Sequence, residues 1–169
     1  MLTRRDLIIK WSVYGGAALL LVLLYTLTLR DAVFFGVHLF LPPLLVGIVA
    51  SVEDTRSGMI FALVFGVLCD LSQPGTFPCV YTLAFTCAAI SCSYLARSVL
   101  QPGPLCSIAV ALLTFLHVDA LNMLALRLRD HAAFLPMASV ALREMLFSCV
   151  LLLICHPVLM FLHRRLTLS

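Results

Sequence analysis

The stretch GMIFALVFGVLCDL, residues 58–71, decides how the rest of the chain is read. It is an almost uncharged apolar run that closes on a carboxylate, Asp70, and Ser-Gln-Pro-Gly follows at once. An unpaired carboxylate at the centre of a membrane helix costs roughly 2.5–3.5 kcal/mol on insertion scales, so a spanning segment carries one with a partner or at its edge. Asp70 therefore marks either a helix end meeting water or a place that does something.

Within this run Gly58, Ala62, Gly66 and Asp70 recur every four residues. On a helix of about 3.6 residues per turn they form a slowly drifting stripe of small side chains ending in a carboxylate. Small residues at that spacing let a second backbone approach closely. The stripe thus predicts a close helix contact with Asp70 capping or pairing at its end, although glycine and alanine are also simply common in membrane helices. Residues 72–78, SQPGTFP, read as a tight turn, with Pro78 suited to the first turn of the next helix. The flanking spans should form an antiparallel hairpin, and Asp70 can cap the second helix across it.

Composition extends this reading to the whole chain. With 63% hydrophobic and 11% charged residues and a mean hydropathy of +1.12, it is far more apolar than a soluble domain. An all-α, polytopic membrane protein is expected: a six-transmembrane-helix bundle with short loops. The 169 residues suffice for about six spans of about 20 residues and form a single integral membrane domain. The expected spans are residues 11–29, 32–52, 57–71, 80–96, 104–126 and 142–162. Trp11 stands where an interfacial anchor is expected, and the first apolar run reads as a retained span rather than a cleaved signal peptide. Pro42-Pro43 interrupts the second stretch, favouring a short lead-in and a helix that starts at Pro43 over a kinked span.

Placing the N-terminus inside puts Arg4, Arg5, Lys10, Arg56, Arg97, Arg164 and Arg165 on the cytoplasmic side and Arg30, Arg127, Arg129 and Arg143 on the other. That asymmetry favours a multi-pass protein of the cytoplasmic membrane with both termini cytoplasmic. The small net charge of +3 is divided among loops and implies no nucleic acid. The seven cysteines are dispersed without a C-x-x-C pair, which argues for small apolar fillers rather than a disulfide framework or zinc site.

In the fifth span Asp119 and Asn122 are three apart and share a helix face, whereas His117 lies about 200° from Asp119. A buried polar contact with another helix is the first expectation, and ligand or proton handling the second. His117 reads as a satisfied polar residue. Arg143-Glu144, where an amphipathic lead-in meets the last span, reads as a pair in the headgroup zone. No Gly-rich phosphate loop, G-x-S-x-G elbow, H-E-x-x-H or pair of catalytic carboxylates occurs, so neither catalytic residues, a metal site nor a cofactor is expected.

Several segments together resemble the rod shape-determining MreD family of bacteria. They are PPLLVGIV from Pro42, the polar connector at 51–57, ALVFGVLCDLS from Ala62, and FPCVYTLAF from Phe77 followed by Tyr94-Leu-Ala-Arg97. The family's G-x-x-x-D at the end of the third span falls on Gly66 and Asp70, and its Tyr-Leu-x-x-basic close of the fourth on Tyr94 and Arg97. The resemblance covers residues 40–97 best; Asp119 matches an acidic position more loosely, the turn is one or two residues longer than usual, and Phe77-Pro78 replaces Leu-Gly. It implies a non-enzymatic membrane scaffold of cell-wall elongation that binds MreC and, through it, MreB, RodA and a class B penicillin-binding protein. The family also looks similar to substrate-binding subunits of energy-coupling vitamin transporters. The alternative function is therefore a small-molecule-binding bundle with Asp119 and Asn122 as polar contacts.

Overall fold

A computed structural model describes residues 4–28, 33–34, 36–72, 78–100, 103–130 and 134–167. The protein is all-α. Its helices are α1 (Arg4–Thr28), α2 (Pro42–Val52), α3 (Thr55–Ser72), α4 (Val80–Ser98), α5 (Pro104–Asp130), α6 (Phe134–Ser148) and α7 (Leu152–Thr167). A single 3-10 turn, Cys149–Leu151, joins α6 to α7, so these two form one bent run. Between α1 and α2 lies a two-residue antiparallel ladder, β1 (Val33–Phe34) and β2 (Val37–His38), pairing Val33 with His38 and Phe34 with Val37. Its turn places Gly36 at a φ of 82°, a left-handed conformation that glycine adopts without steric cost.

Among the described residues three helical runs are long and apolar enough, by length and composition, to cross a membrane: Thr55–Ser72, Pro104–Arg129 and Phe134–Phe161. Their outward faces are apolar; Leu71, Leu105, Leu135 and Leu153 are all about three-quarters exposed or more, at 78%, 75%, 80% and 77%. Hydrocarbon, rather than water, suits such a surface.

The stretch 32–52 divides at Pro42-Pro43, as expected, into a lead-in and a helix. Among its described residues Pro42–Val52 is helical, and these 11 residues make a rod of about 16 Å, half of a ~30 Å hydrocarbon core. Pro42 and Pro43 occupy its first turn, where a missing N–H costs nothing. A helix apolar on every side belongs in a protein core or in lipid, and this one lies in the core, with every residue from Pro42 to Ser51 buried. The other helices of the core, α3, α4, α5 and α7, pack round it. Close approach is obtained through glycine: a Cβ on Gly47 would lie 2.8 Å from Thr114 Oγ1 and 3.0 Å from the Val110 carbonyl of α5, and one on Gly58 would lie 3.1 Å from Ala50 Cα.

The lead-in to α2, Leu39 to Leu41, is also buried, so its backbone needs partners. The Tyr25 hydroxyl donates to the Leu39 carbonyl, and the Phe40 N–H donates to Ser148 Oγ at 2.8 Å. Ser148 stands where α6 gives way to the 3-10 turn, and Pro157 further along α7 removes one more intrahelical bond. Helix α1 is held by large side chains. Trp11 packs on Tyr14 and on Phe61, with ring centroids 5.9 and 6.4 Å apart. The aromatic contact continues from Phe61 through Phe65, Phe85 and Tyr81 to Phe40.

Candidate functional site: a clasped hairpin and an acidic groove

The polar side chains collect in two places: the ends of the α3–α4 hairpin, and the seam between α5 and α6. At the hairpin turn, α4 begins without a usable cap of its own. Its N-cap residue, Cys79, is in the left-handed conformation, with φ 65°, and makes no side-chain cap bond. The orphaned N–H groups of the first turn are met from the other helix. Asp70 Oδ1 accepts from the Tyr81 N–H at 3.0 Å, and Oδ2 accepts from the Thr82 N–H at 2.9 Å and the Thr82 hydroxyl at 2.6 Å. A carboxylate there also faces the positive end of the α4 dipole.

Gly66 makes this reach possible. A Cβ at Gly66 would lie 2.6 Å from Thr82 Cα and 3.0 Å from the Tyr81 carbonyl oxygen, so any larger residue would push away the turn that Asp70 caps one helical turn later. Ala62 is fully buried and Gly58 abuts Ala50. Three residues of the stripe, Gly58, Gly66 and Asp70, thus make close contacts, the last two with α4, and Ala62 is buried between them. Residues 73–77 of the expected turn lie outside the described residues.

The other end of the hairpin is tied to the α2–α3 connector. Ser93 donates to the Ala50 carbonyl at 2.9 Å. Arg97 Nη2 donates to the Glu53 carbonyl at 3.0 Å and approaches Asp54 Oδ1 at 3.4 Å. Glu53 itself is 5% exposed, its N–H closes α2 onto the Val49 carbonyl, and Tyr14 of α1 faces its carboxylate. Tyr94 projects outward from α4. Sequence reading singled out Tyr94 and Arg97 but missed Glu53, Ser93 and Tyr14; the density of polar residues at 51–57 was the only signal near them.

Asp119 and Asn122 do share a face, and it looks onto α6. Two open grooves flank the α5–α6 seam, of about 500 and 380 Å³, and Asp119 lines both. Asn122 and Glu144 line the smaller groove with it, and the charges of Asp119 and Glu144 bear on one another. Glu144 thus sits against the fifth helix in the groove, not as half of an isolated pair with Arg143, which is exposed. Among the described residues neither Asp119 nor Glu144 has a hydrogen-bond or ion-pair partner.

The remaining polar groups are joined in pairs. His117 lies 2.8 Å from its own helix's Leu113 carbonyl and 3.3 Å from Ser91 Oγ of α4. His156 Nδ1 is 2.7 Å from Ser107 Oγ. All seven cysteines are free, and Cys92 bridges to the Val110 carbonyl of α5. Among the described residues no three His, Cys, Asp or Glu side chains converge as metal ligands would. No protein-family model matches the chain, and no curated protein or solved structure matches it.

Proposed function

We propose that this protein is a non-enzymatic scaffold in the cytoplasmic membrane, part of the bacterial cell-wall elongation machinery, with both termini on the cytoplasmic side and MreC as its direct partner. MreB, RodA and a class B penicillin-binding protein are reached through that partner. The observation that carries this reading is the use made of Gly66 and Asp70. The two residues at the heart of the resemblance to the MreD family build a clasp between helices. Residues spent on holding a shape belong to a protein that acts through its surface. The interior supports the same reading, since the centre of the bundle is occupied by α2, whose Leu44, Leu45, Ile48 and Val49 are essentially inaccessible.

The test is purification of the tagged protein from its native membranes in mild detergent, followed by mass spectrometry of what accompanies it. Recovery of MreC or the elongation synthase is expected. Recovery of transporter ATPase subunits, with a vitamin raising the melting temperature, would replace this reading with that of a small-molecule-binding transporter subunit.

A further inference from the structure

We infer that the groove between α5 and α6 is the docking surface for a transmembrane helix of a partner protein, and that this helix carries a lysine or arginine that meets Asp119 and Glu144. The inference deepens the scaffold reading and rests on it for the partner's identity, though not for the groove's chemistry. The smaller of the two grooves, the one that holds both carboxylates, is walled by apolar side chains, among them Met123, Leu126, Met137 and Ala141, and such a wall suits a helix. Into it two carboxylates from different helices are set, with no partner among the described residues. Acidic side chains at membrane depth are costly unless paired, and pairing with a cation from another chain resolves the cost for both.

Depth selects the source of that cation. Asp119 lies eleven residues before the end of α5 at Asp130, about 16 Å along the helix. Glu144 lies ten residues after the start of α6 at Phe134, about 15 Å along it. Both are therefore near mid-bilayer, beyond the level of lipid headgroups. Arg127 lines the larger groove but is eight residues, about 12 Å, from Asp119. Arg143 is turned about 100° round α6 from Glu144, off the groove. A second copy set groove to groove would oppose carboxylate to carboxylate, so the complementary charge comes from a different chain.

The experiment is photo-crosslinking of the full-length protein in native membranes, with a benzophenone amino acid at Met123 or Ala141 in the groove and at Leu63 or Leu83 on the hairpin face. Groove positions should yield an adduct whose linked peptide is a transmembrane segment bearing Lys or Arg. Asp119→Asn combined with Glu144→Gln should lower that yield about tenfold while membrane abundance and melting temperature hold. Exchanging the partner's basic residue for Glu should be rescued by Glu144→Lys. Adducts to lipid or a second copy alone, adducts confined to the hairpin face, or an undiminished yield in the double variant would each overturn the inference. If MreC is recovered but crosslinks only at the hairpin, the groove assignment fails and the scaffold reading stands. If the groove captures a basic transmembrane segment of an unrelated complex, the groove assignment stands and the scaffold reading fails.

Discussion

The α3–α4 hairpin and the α5–α6 pair are both antiparallel neighbours in one small bundle, yet they treat their carboxylates in opposite ways. Asp70 receives three hydrogen bonds from the first turn of α4, and a glycine one turn away brings that turn within reach. Asp119 and Glu144 stand in open grooves, with no described partner. A carboxylate satisfied inside the chain serves the fold, whereas one with no partner among the described residues is open to the partner helix inferred above. Side-chain size sets the difference. Gly66 lets the α3 and α4 backbones touch, while the α5–α6 seam is lined by larger side chains, Leu116, Met123, Leu142 and Met145.

The contrast can be broken most directly at Gly66. Gly66→Val places branched carbon against Thr82 backbone atoms that cannot yield, and should cost more than about 3 kcal/mol, beyond the usual range for overpacking. The expected outcome is loss of folded protein from the membrane fraction. Asp70→Ala should come next, at about 2–3 kcal/mol, because it removes a cap and strands two N–H groups in an apolar setting. A thermal melt in detergent reads it, and a variant that melts like the parent, with normal partner recovery and cell shape, would count against the clasp. Thr82→Val removes one of the three bonds and keeps the volume; about 1 kcal/mol is expected in the same melt.

Arg97→Ala tests the opposite end of the hairpin. Half exposed, and bonded chiefly to a carbonyl, Arg97 should contribute no more than about 1 kcal/mol. The opposite sign belongs to the other region: Asp119→Asn with Glu144→Gln should leave the isolated protein at least as stable as the parent, since unpaired carboxylates in an apolar setting cost stability rather than supply it. A large loss of melting temperature there would erase the distinction between the two regions.

Much of the hairpin was legible because its signals are local. Four small or acidic residues at a four-residue spacing state a helix face, and a Pro-Gly turn states a reversal. Which of its two roles Asp70 takes was not legible, since it depends on Cys79 adopting a left-handed conformation that a non-glycine side chain rarely takes. In the stretch 32–52 the break at Pro42-Pro43 is legible, and the lead-in followed by a helix is what forms. The short ladder in that lead-in and the complete enclosure of the helix are not legible, because they depend on the packing of α3, α4, α5 and α7 round it. That Glu144 faces Asp119 is not legible, since the two are 25 residues apart in sequence (144 minus 119) and no periodicity links positions on separate helices. The aromatic chain from Trp11 to Phe40 was likewise invisible, because it crosses four segments.

The burial of α2 has a consequence for how the chain is made. An apolar rod of about 16 Å cannot be handed to the bilayer as a stable crossing in its own right, and its enclosure is completed by α3, α4, α5 and α7, all of which follow it in the chain. Pro42–Val52 therefore lacks its full shelter until α7, which begins 100 residues after it (152 minus 52), is in place. Any lesion that slackens the surrounding helices uncovers a wholly apolar segment of the kind that quality-control proteases recognise, so the abundance of the protein in the cell should report on the closure of its neighbours more sensitively than any assay of its partners.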